Sequence, residues 1–458
     1  MPTSVPPLHR RQFLARTAAF LALAQDKPGP VPEPAWLWSG AVTPTSATVL
    51  LALPRATGAA PALLLSERRD LSDARRVEGR LVPAPSLSQP GRVVVNYAVN
   101  GLAPSREYFC GLRPGTGTLV RFRTFGIGPF SFKAAFASCA GGTRLVPMSH
   151  VSNSGVFDAI GAQDPHVFIH MGDLHYYNLT GAARPLQPLM GRFRLSLDRV
   201  LSQEHQALFY RRTPIVYVWD DHDFGVDESD GTSPTRDAAR AYYATDVPHY
   251  PLPIGANADG PLAQTFDIGR VRFIVTDARS DRLPAQRTLL GQRQFAWLLE
   301  ELGRAAADRV AFLVWVNPVP WITVDGDRQG WGMYAAERRA IGQRITSLGL
   351  GQRLLMLSGD AHMLAFDDGR NNANGGFVVA QAAPLDRFVR AKGGPYSHEP
   401  PAQTNGQFAM LRVEDNGTIL TATIEGHRYT GNGRSMVVPE TRLRLRCADS
   451  KCELVPVG

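Results

Sequence analysis

The 458-residue chain holds four cysteines and only four lysines, Lys27, Lys133, Lys392 and Lys451, among its 49 basic residues. So few thiols exclude a disulfide scaffold, in which cysteines are dense and the apolar core is small. No run of about 18 uncharged apolar residues occurs, so no segment of the mature chain is expected to span a membrane as a helix. The arginines are interleaved and never form a block. The formal charge of +8 therefore carries no specific nucleic-acid signal, although it favours anionic substrates. No internal repeat appears, and biased composition is confined to one short Pro-rich linker. With 44% hydrophobic and 20% charged residues, the length suits two or three domains with real cores.

The chain opens on "HRRQFLARTAAFLALAQ", with Arg10 and Arg11 paired, a short apolar stretch, and small residues at Ala22 and Ala24. This resembles a twin-arginine export signal. Residues 1–25 are expected to be removed and the mature protein to be periplasmic or secreted, with the twin-arginine machinery as a partner. That route carries proteins already folded, which suits a chain that acquires its metal inside the cell. After the linker, residues from Trp36 to about Phe125 form short alternating runs such as "ATVLLAL" and "RVVVNYAV", separated by Pro and Gly. Such spacing predicts a small β-sandwich over 26–128. Leu102, Pro104 and Tyr108 in "GLAPSREYFCGL" fit a tyrosine corner. Cys110 reads as a buried small hydrophobe. Cys447 and Cys452 are close enough either to close a small loop or to stand as two free thiols.

From Phe132 the pattern changes. Apolar runs end in reactive residues: Cys139 after "KAAFAS", Asp173 after "HVFIHMG", Asp220 and Asp221 after "IVYVW". Further runs end at Asp277, Asn317 and Asp360. Helical stretches lie between them, including "TLLGQRQFAWLLEELGRAAA", where Phe295, Leu298, Leu299 and Leu302 can share one face. Buried strands alternating with helices predict a layered α/β sheet, whose ligands collect at the carboxyl ends of the strands. "WDDHDFGVD" alone puts Asp220, Asp221, Asp223 and Asp227 around His222 at such an end. Like charges crowded there repel and are costly to desolvate, so a counter-charge is needed.

"FASC", "MGDLHYY", "WDDHD", "TDARSDR", "LGQRQFAWL", "GWGMYAAER" and "LSGDAH" stand in this chain together. As a set they closely resemble the alkaline phosphatase D (PhoD-like) family of calcineurin-like metallophosphatases. "WLWSGAVTPTSATV" resembles that family's N-terminal fibronectin-like domain. The resemblance implies a four-layer αββα domain over 129–458 holding a binuclear centre of ferric iron with calcium, zinc or manganese being the alternatives. By motif, Cys139 and Tyr176 would bind iron, Asp173 would bridge, and Asp221, Asp360 and His362 would complete the site. His222 would face the substrate. Asp227, where relatives commonly carry Asn, would offer a charged oxygen to a calcium. Where many relatives have Glu after the tyrosine, Tyr177 and Asn178 follow here.

The chemistry of these residue types agrees. Thiolate, phenolate, imidazole and carboxylate together suit ferric iron, and oxygen-only corners suit calcium. Two cations can clamp a phosphoryl group and generate a hydroxide for in-line attack, with His222 as the proton donor to the leaving oxygen. The expected activity is hydrolysis of phosphate monoesters, diesters or both. Two other readings stay open: a purple-acid-like Fe–Zn phosphatase, against which the "FASC" thiol argues, and a non-catalytic binder of a surface polymer. Asp220 and Asp223 are read as loop caps or as supports of His222, and Asp277 with Arg279 as a salt bridge or a phosphate contact. His170, His175 and His205 are read as surface or supporting residues, and loops 181–200 and 370–400 as pocket walls.

Overall fold

The computed structural model describes residues 33–457 except 55–58, 83–92, 116, 143–149, 181–185, 255–259 and 450. The export-signal reading therefore lies outside the described residues. Among the described residues, three sheets make the framework, of eleven, six and four strands. At the centre of the largest, Phe132–Ala137, Val167–Met171 and Ile215–Val218 run parallel, with Phe168 opposite Ile215 and Val167 opposite Ala134. On one flank antiparallel strands follow from Gln407–Asp415 outward to Lys451–Leu454. In the six-stranded sheet, Val271–Val275, Phe312–Val316, Leu354–Ser358 and Val378–Ala382 are parallel neighbours.

Side-chain alternation decides how these sheets stack. Along Val167–Met171, Val167, Ile169 and Met171 face a core shared with Phe273, Val275, Val314, Val316, Leu355 and Leu357 of the second sheet. Phe168 points the other way, to an outer layer of helices. Strands buried on both faces read as continuous apolar runs, which is why these carry so little polar sequence. The outer layer includes Leu186–Leu201, which buries Leu189, Phe193, Leu197, Val200 and Leu201 at helical spacing;. Gly291–Ala307 and Ala335–Ser347 cover the far side of the six-stranded sheet. The result is the expected helix–sheet–sheet–helix stack.

The N-terminal β-rich region pairs the four-stranded sheet (Arg75–Val77, Leu63–Ser66, Glu107–Gly111, Leu119–Arg123) with strands of the largest sheet. Leu51, Leu65, Tyr97, Cys110 and Phe122 belong to one apolar core. The Tyr108 hydroxyl accepts the Ala103 amide at 2.9 Å, the bond of a tyrosine corner;. This region is not hung on a free linker: Trp36–Gly40 lies parallel beside Ile215–Val218 with Gly40 opposite Ile215. A Cβ on Gly40 would stand 2.5 Å from the Ile215 carbonyl oxygen, so only glycine permits that approach.

Three expectations need correction. The stretches 181–200 and 370–400 are not loops throughout, because a helix begins at Leu186 and the strand Val378–Ala382 lies in the second. The buried face of Gly291–Ala307 runs through Gln294, Leu298, Glu301, Leu302 and Ala305. Phe295 and Leu299 only flank it, packed in part against the core. His170 and His175 are buried, not surface residues. Cys447 and Cys452, left open above, form a disulfide between the last two strands.

Candidate metal centre

Parallel strands end on the same side, and the two stacked sheets bring their ends together. From the larger sheet come Cys139, then Asp173 with Tyr176, then Asp220 to His222. From the smaller come Asp360 and His362, just past Leu354–Ser358. Cys139, Asp173, Asp360 and His362 all adopt left-handed backbone, with φ of 63°, 55°, 58° and 48°. Such conformations cost non-glycine residues about 1–3 kcal/mol each and persist only where their surroundings impose them. Gly172 prepares one of them. It has φ +87°, and a Cβ there would stand 2.3 Å from the Asp220 Cβ.

Among the described residues, three sets of donor atoms converge, each within 4.8 Å: Cys139, Asp173 and His362; Asp173, Asp221 and His222; Asp220, Asp221 and Asp360. Asp173 and Asp221 are shared between neighbouring sets, so the three form a continuous chain of donors. The Tyr176 hydroxyl donates to Asp173 Oδ2 at 2.8 Å and lies 3.3 Å from His362 Nε2, which places the phenol with the first set. Cys139, Tyr176 and Ala383 make a small buried cluster of their own.

Two built-in cations answer part of the negative charge. Arg279 Nε donates to Asp220 Oδ1 at 2.5 Å, and Lys392 Nζ to Asp360 Oδ1 at 2.9 Å. Against burial, Arg279, His222 and the Glu228 amide hold the Asp221 carboxyl well below the usual carboxylate range. Asp173 moves the other way, pushed far up by burial and then by Asp221 and Asp220. Two carboxylates about 4 Å apart repel by about 4 kcal/mol at an effective dielectric of 20. Two protein cations therefore leave four clustered carboxylates undercompensated.

The residues fit a metal. Asp173 Oδ1, Asp220 Oδ2 and His362 Nδ1 are buried with no hydrogen-bond partner among the described residues. Each unsatisfied atom costs about 1–3 kcal/mol unless something binds it. A thiol, a phenol, an imidazole and a carboxylate suit a transition metal, and the three aspartates of the last set suit a hard cation. Burial, followed by the charge of Asp173, raises both Cys139 and Tyr176. Both must lose a proton to ligate.

The remaining expected site residues take supporting places. Asp223 caps the turn: its oxygens accept the amides of Leu174 at 2.8 Å and Asp220 at 3.1 Å, tying the Asp173 loop to "WDDHD". Arg279 does not pair with Asp277 as expected. Asp277 accepts the Trp219 indole N–H at 2.8 Å and the Arg279 amide at 2.9 Å, and so holds the backbone from which Arg279 reaches Asp220. Asp227 stands apart from the three donor sets, its side chain 79% exposed, 3.5 Å from His222 Nε2. Glu228 next to it turns inward to Arg282 at 2.9 Å and Arg279 at 3.5 Å. His205 is a surface residue beside Asp158.

Sequence reasoning missed three groups. Asn178 bonds His222 Nδ1; the missing glutamate after Tyr176 was its only signal. Asp386 is buried and accepts the Ser152 hydroxyl at 2.6 Å, and burial lifts its carboxyl to about 6. Arg387 lies over the Tyr176 ring at 4.0 Å. Neither Asp386 nor Arg387 stands in a motif.

Fold and site together define a layered α/β protein with a cluster of candidate metal donors at its strand ends. The model of the PhoD-like phosphatase family matches residues 135–384, and the chain belongs to that family. A solved structure of PhoD is 16% identical, with a TM-score of 0.68 over 94% of this chain and 93% of that one. A purple acid phosphatase, PPD1, from yellow lupin (Lupinus luteus) seeds is 13% identical, with a TM-score of 0.58 over 92% and 77%. No curated protein matches the chain by sequence. Family and fold place the chain among the metallophosphatases, hydrolases of phosphoric esters.

Proposed function

We propose that this protein is an exported metal-dependent phosphatase of phosphate monoesters, diesters or both, with ferric iron and calcium as its metals. The observation that carries this reading is that a thiol-holding donor set and an all-carboxylate one are linked through a middle set, which shares Asp173 with the first and Asp221 with the second. Cys139, Asp173, Tyr176 and His362 would hold the iron. Asp220, Asp221 and Asp360 would face the harder ion. When bound, the metals supply the positive charge that holds a phosphoryl group and acidifies water.

The chain's own residues do the rest. Asn178 bonds the His222 ring at Nδ1, and the doubly protonated ring would donate from Nε2 to the leaving oxygen. Burial lowers the His222 pKa, and the charges of Asp221 and Asp227 oppose that shift. Arg279 and Asp277 keep Asp220 in place. The Cys139 thiol within the first donor set favours this reading over a purple-acid-like one. Hydrolysis of p-nitrophenyl phosphate and bis-p-nitrophenyl phosphate, with metal analysis of the same sample, tests it. A metal-loaded protein that cleaves neither ester would leave a binding role instead. Export is tested separately: Arg10→Lys with Arg11→Lys should retain the protein in the cytoplasm.

A further inference from the structure

Among the described residues, two cationic side chains are committed to the carboxylate cluster. Arg279 bonds Asp220 at 2.5 Å and Lys392 bonds Asp360 at 2.9 Å. Arg387 differs. Among the described residues it forms no ion pair or hydrogen bond with a carboxylate, and its buried Nε has no hydrogen-bond acceptor; the adjacent Asp386 is bonded to Ser152 and feels the Arg387 charge only at a distance. Its guanidinium carbon stands 4.0 Å from the Tyr176 ring centre and 4.9 Å from that of Phe388.

Tyr176 sets where that cation lies. Its hydroxyl bonds Asp173 and His362, both candidate ligands. Its ring centre is 4.3 Å from the His222 ring. Arg387 thus shares one aromatic ring with the proposed proton donor, beside the donor sets. The backbone that presents it is anchored. The Leu385 amide donates to the Ser138 carbonyl at 3.0 Å, Gly406 donates to the Leu385 carbonyl at 2.8 Å, and Asp386 is held by Ser152 at 2.6 Å. Phe388 and Val389, each 37% exposed, continue as an apolar rim. A guanidinium stacked on an aromatic face, with no anion bonded to it, on a fixed segment, has its fork of donors available for an incoming oxyanion.

We propose that Arg387 is a substrate-binding residue that takes two non-bridging oxygens of the phosphate group through its guanidinium fork. A planar fork matches phosphate in two-point contact. One more cation at this place favours a dianionic monoester over a monoanionic diester. The inference rests on the phosphatase reading above and names a residue that reading does not use.

The test compares metal-loaded wild type with Arg387→Met, which keeps most of the stem, and Arg387→Lys. Inorganic phosphate binding is measured by calorimetry, kinetics with the p-nitrophenyl monoester and diester, and metal content on every sample. Arg387→Met should bind phosphate roughly 10- to 150-fold more weakly, the range of a charged hydrogen-bond contact. KM should rise by a similar factor for the monoester and less for the diester, with metal content unchanged. Arg387→Lys and added guanidinium ion should each recover part of the loss. Unchanged phosphate affinity at native metal content would overturn the proposal. So would loss of metal from both variants, which would show that Arg387 acts only by packing on Tyr176. If the wild type cleaves neither ester, the phosphatase reading fails while the phosphate titration still decides the role of Arg387.

Discussion

Arg279 crosses from beyond the strand Val271–Val275 of one sheet to Asp220 at the strand end of the other, Nε to Oδ1 2.5 Å, each side chain only 1% exposed. Asp220, Asp221 and Glu228 together outweigh the cost of burying the guanidinium and hold its pKa above the ordinary value. Removing one partner of a buried pair costs about 3–5 kcal/mol, because the other charge is left uncompensated. Arg279→Met should lower unfolding stability by that amount in urea. Arg279→Met combined with Asp220→Asn should recover much of it. A single variant as stable as wild type would show that the pair does not join the sheets.

Gly172→Ala tests the strained strand end. Its φ of +87° and the 2.3 Å approach to Asp220 leave no room for a methyl group. Overpacking costs about 1–3 kcal/mol. Relief by backbone shift would move Asp173, so bound metal should fall together with stability. Full metal content in this variant would mean that the loop position is not critical.

Tyr176→Phe removes the hydroxyl that meets Asp173 and His362 but keeps the ring beneath Arg387 and beside His222. The fold should survive. Under the iron assignment, the broad visible band of a phenolate–iron pair should disappear and iron content should drop. Cys139→Ser should shift or weaken the same band. Visible spectra and iron analysis on the three proteins check this, and a colourless, active, iron-free wild type would exclude the assignment.

His222→Ala should lower turnover by about 10²- to 10⁴-fold, the scale of a lost general acid, with metal content nearly unchanged. Asn178→Leu should lower it less, since it releases the ring without removing it. His222 lies within 4.8 Å reach of Asp173 and Asp221, so metal analysis is the deciding readout. Metal lost from His222→Ala would make the ring a ligand.

His170 gives a pH prediction away from the chemistry. It is buried against Phe168 and Tyr217, neither nitrogen has a partner among the described residues, and burial drives its pKa to about 3. An unfolded His titrates near 6.5. Below that pH the unfolded chain takes up a proton that the folded chain refuses, so this residue lowers stability as pH falls. The slope approaches ~1.4 kcal/mol per pH unit. His170→Phe lacks that proton, so its stability relative to wild type should improve steadily from pH 6.5 to 4.5. Urea midpoints at several pH values measure the gap, and a constant gap would contradict a neutral buried ring.

Much of the site was legible because each donor closes an apolar strand run. "KAAFASC", "HVFIHMGD", "IVYVWDD" and "LLMLSGD" place Cys139, Asp173, Asp220, Asp221 and Asp360 at strand ends by pattern alone, and parallel strands put such ends on one side;. The Tyr108 corner and the layered α/β sheet follow from equally local patterns, whereas the four-layer αββα stack was implied by the family resemblance. Those signals are local, so a single sequence carries them.

Partner choice is not local. Whether Arg279 reaches Asp277 two residues away or Asp220 fifty-nine away depends on how two sheets stack. Tertiary packing likewise buries His170 on the helix-covered face of its strand, leaves Asp227 in solvent, and brings Arg387 over Tyr176. Strand order along the chain determined which residues stand at the ends of sheets. Only the tertiary packing decided which charges there are paired and which one is left open, because Coulomb energy depends on distance in space and on burial, neither of which sequence spacing specifies.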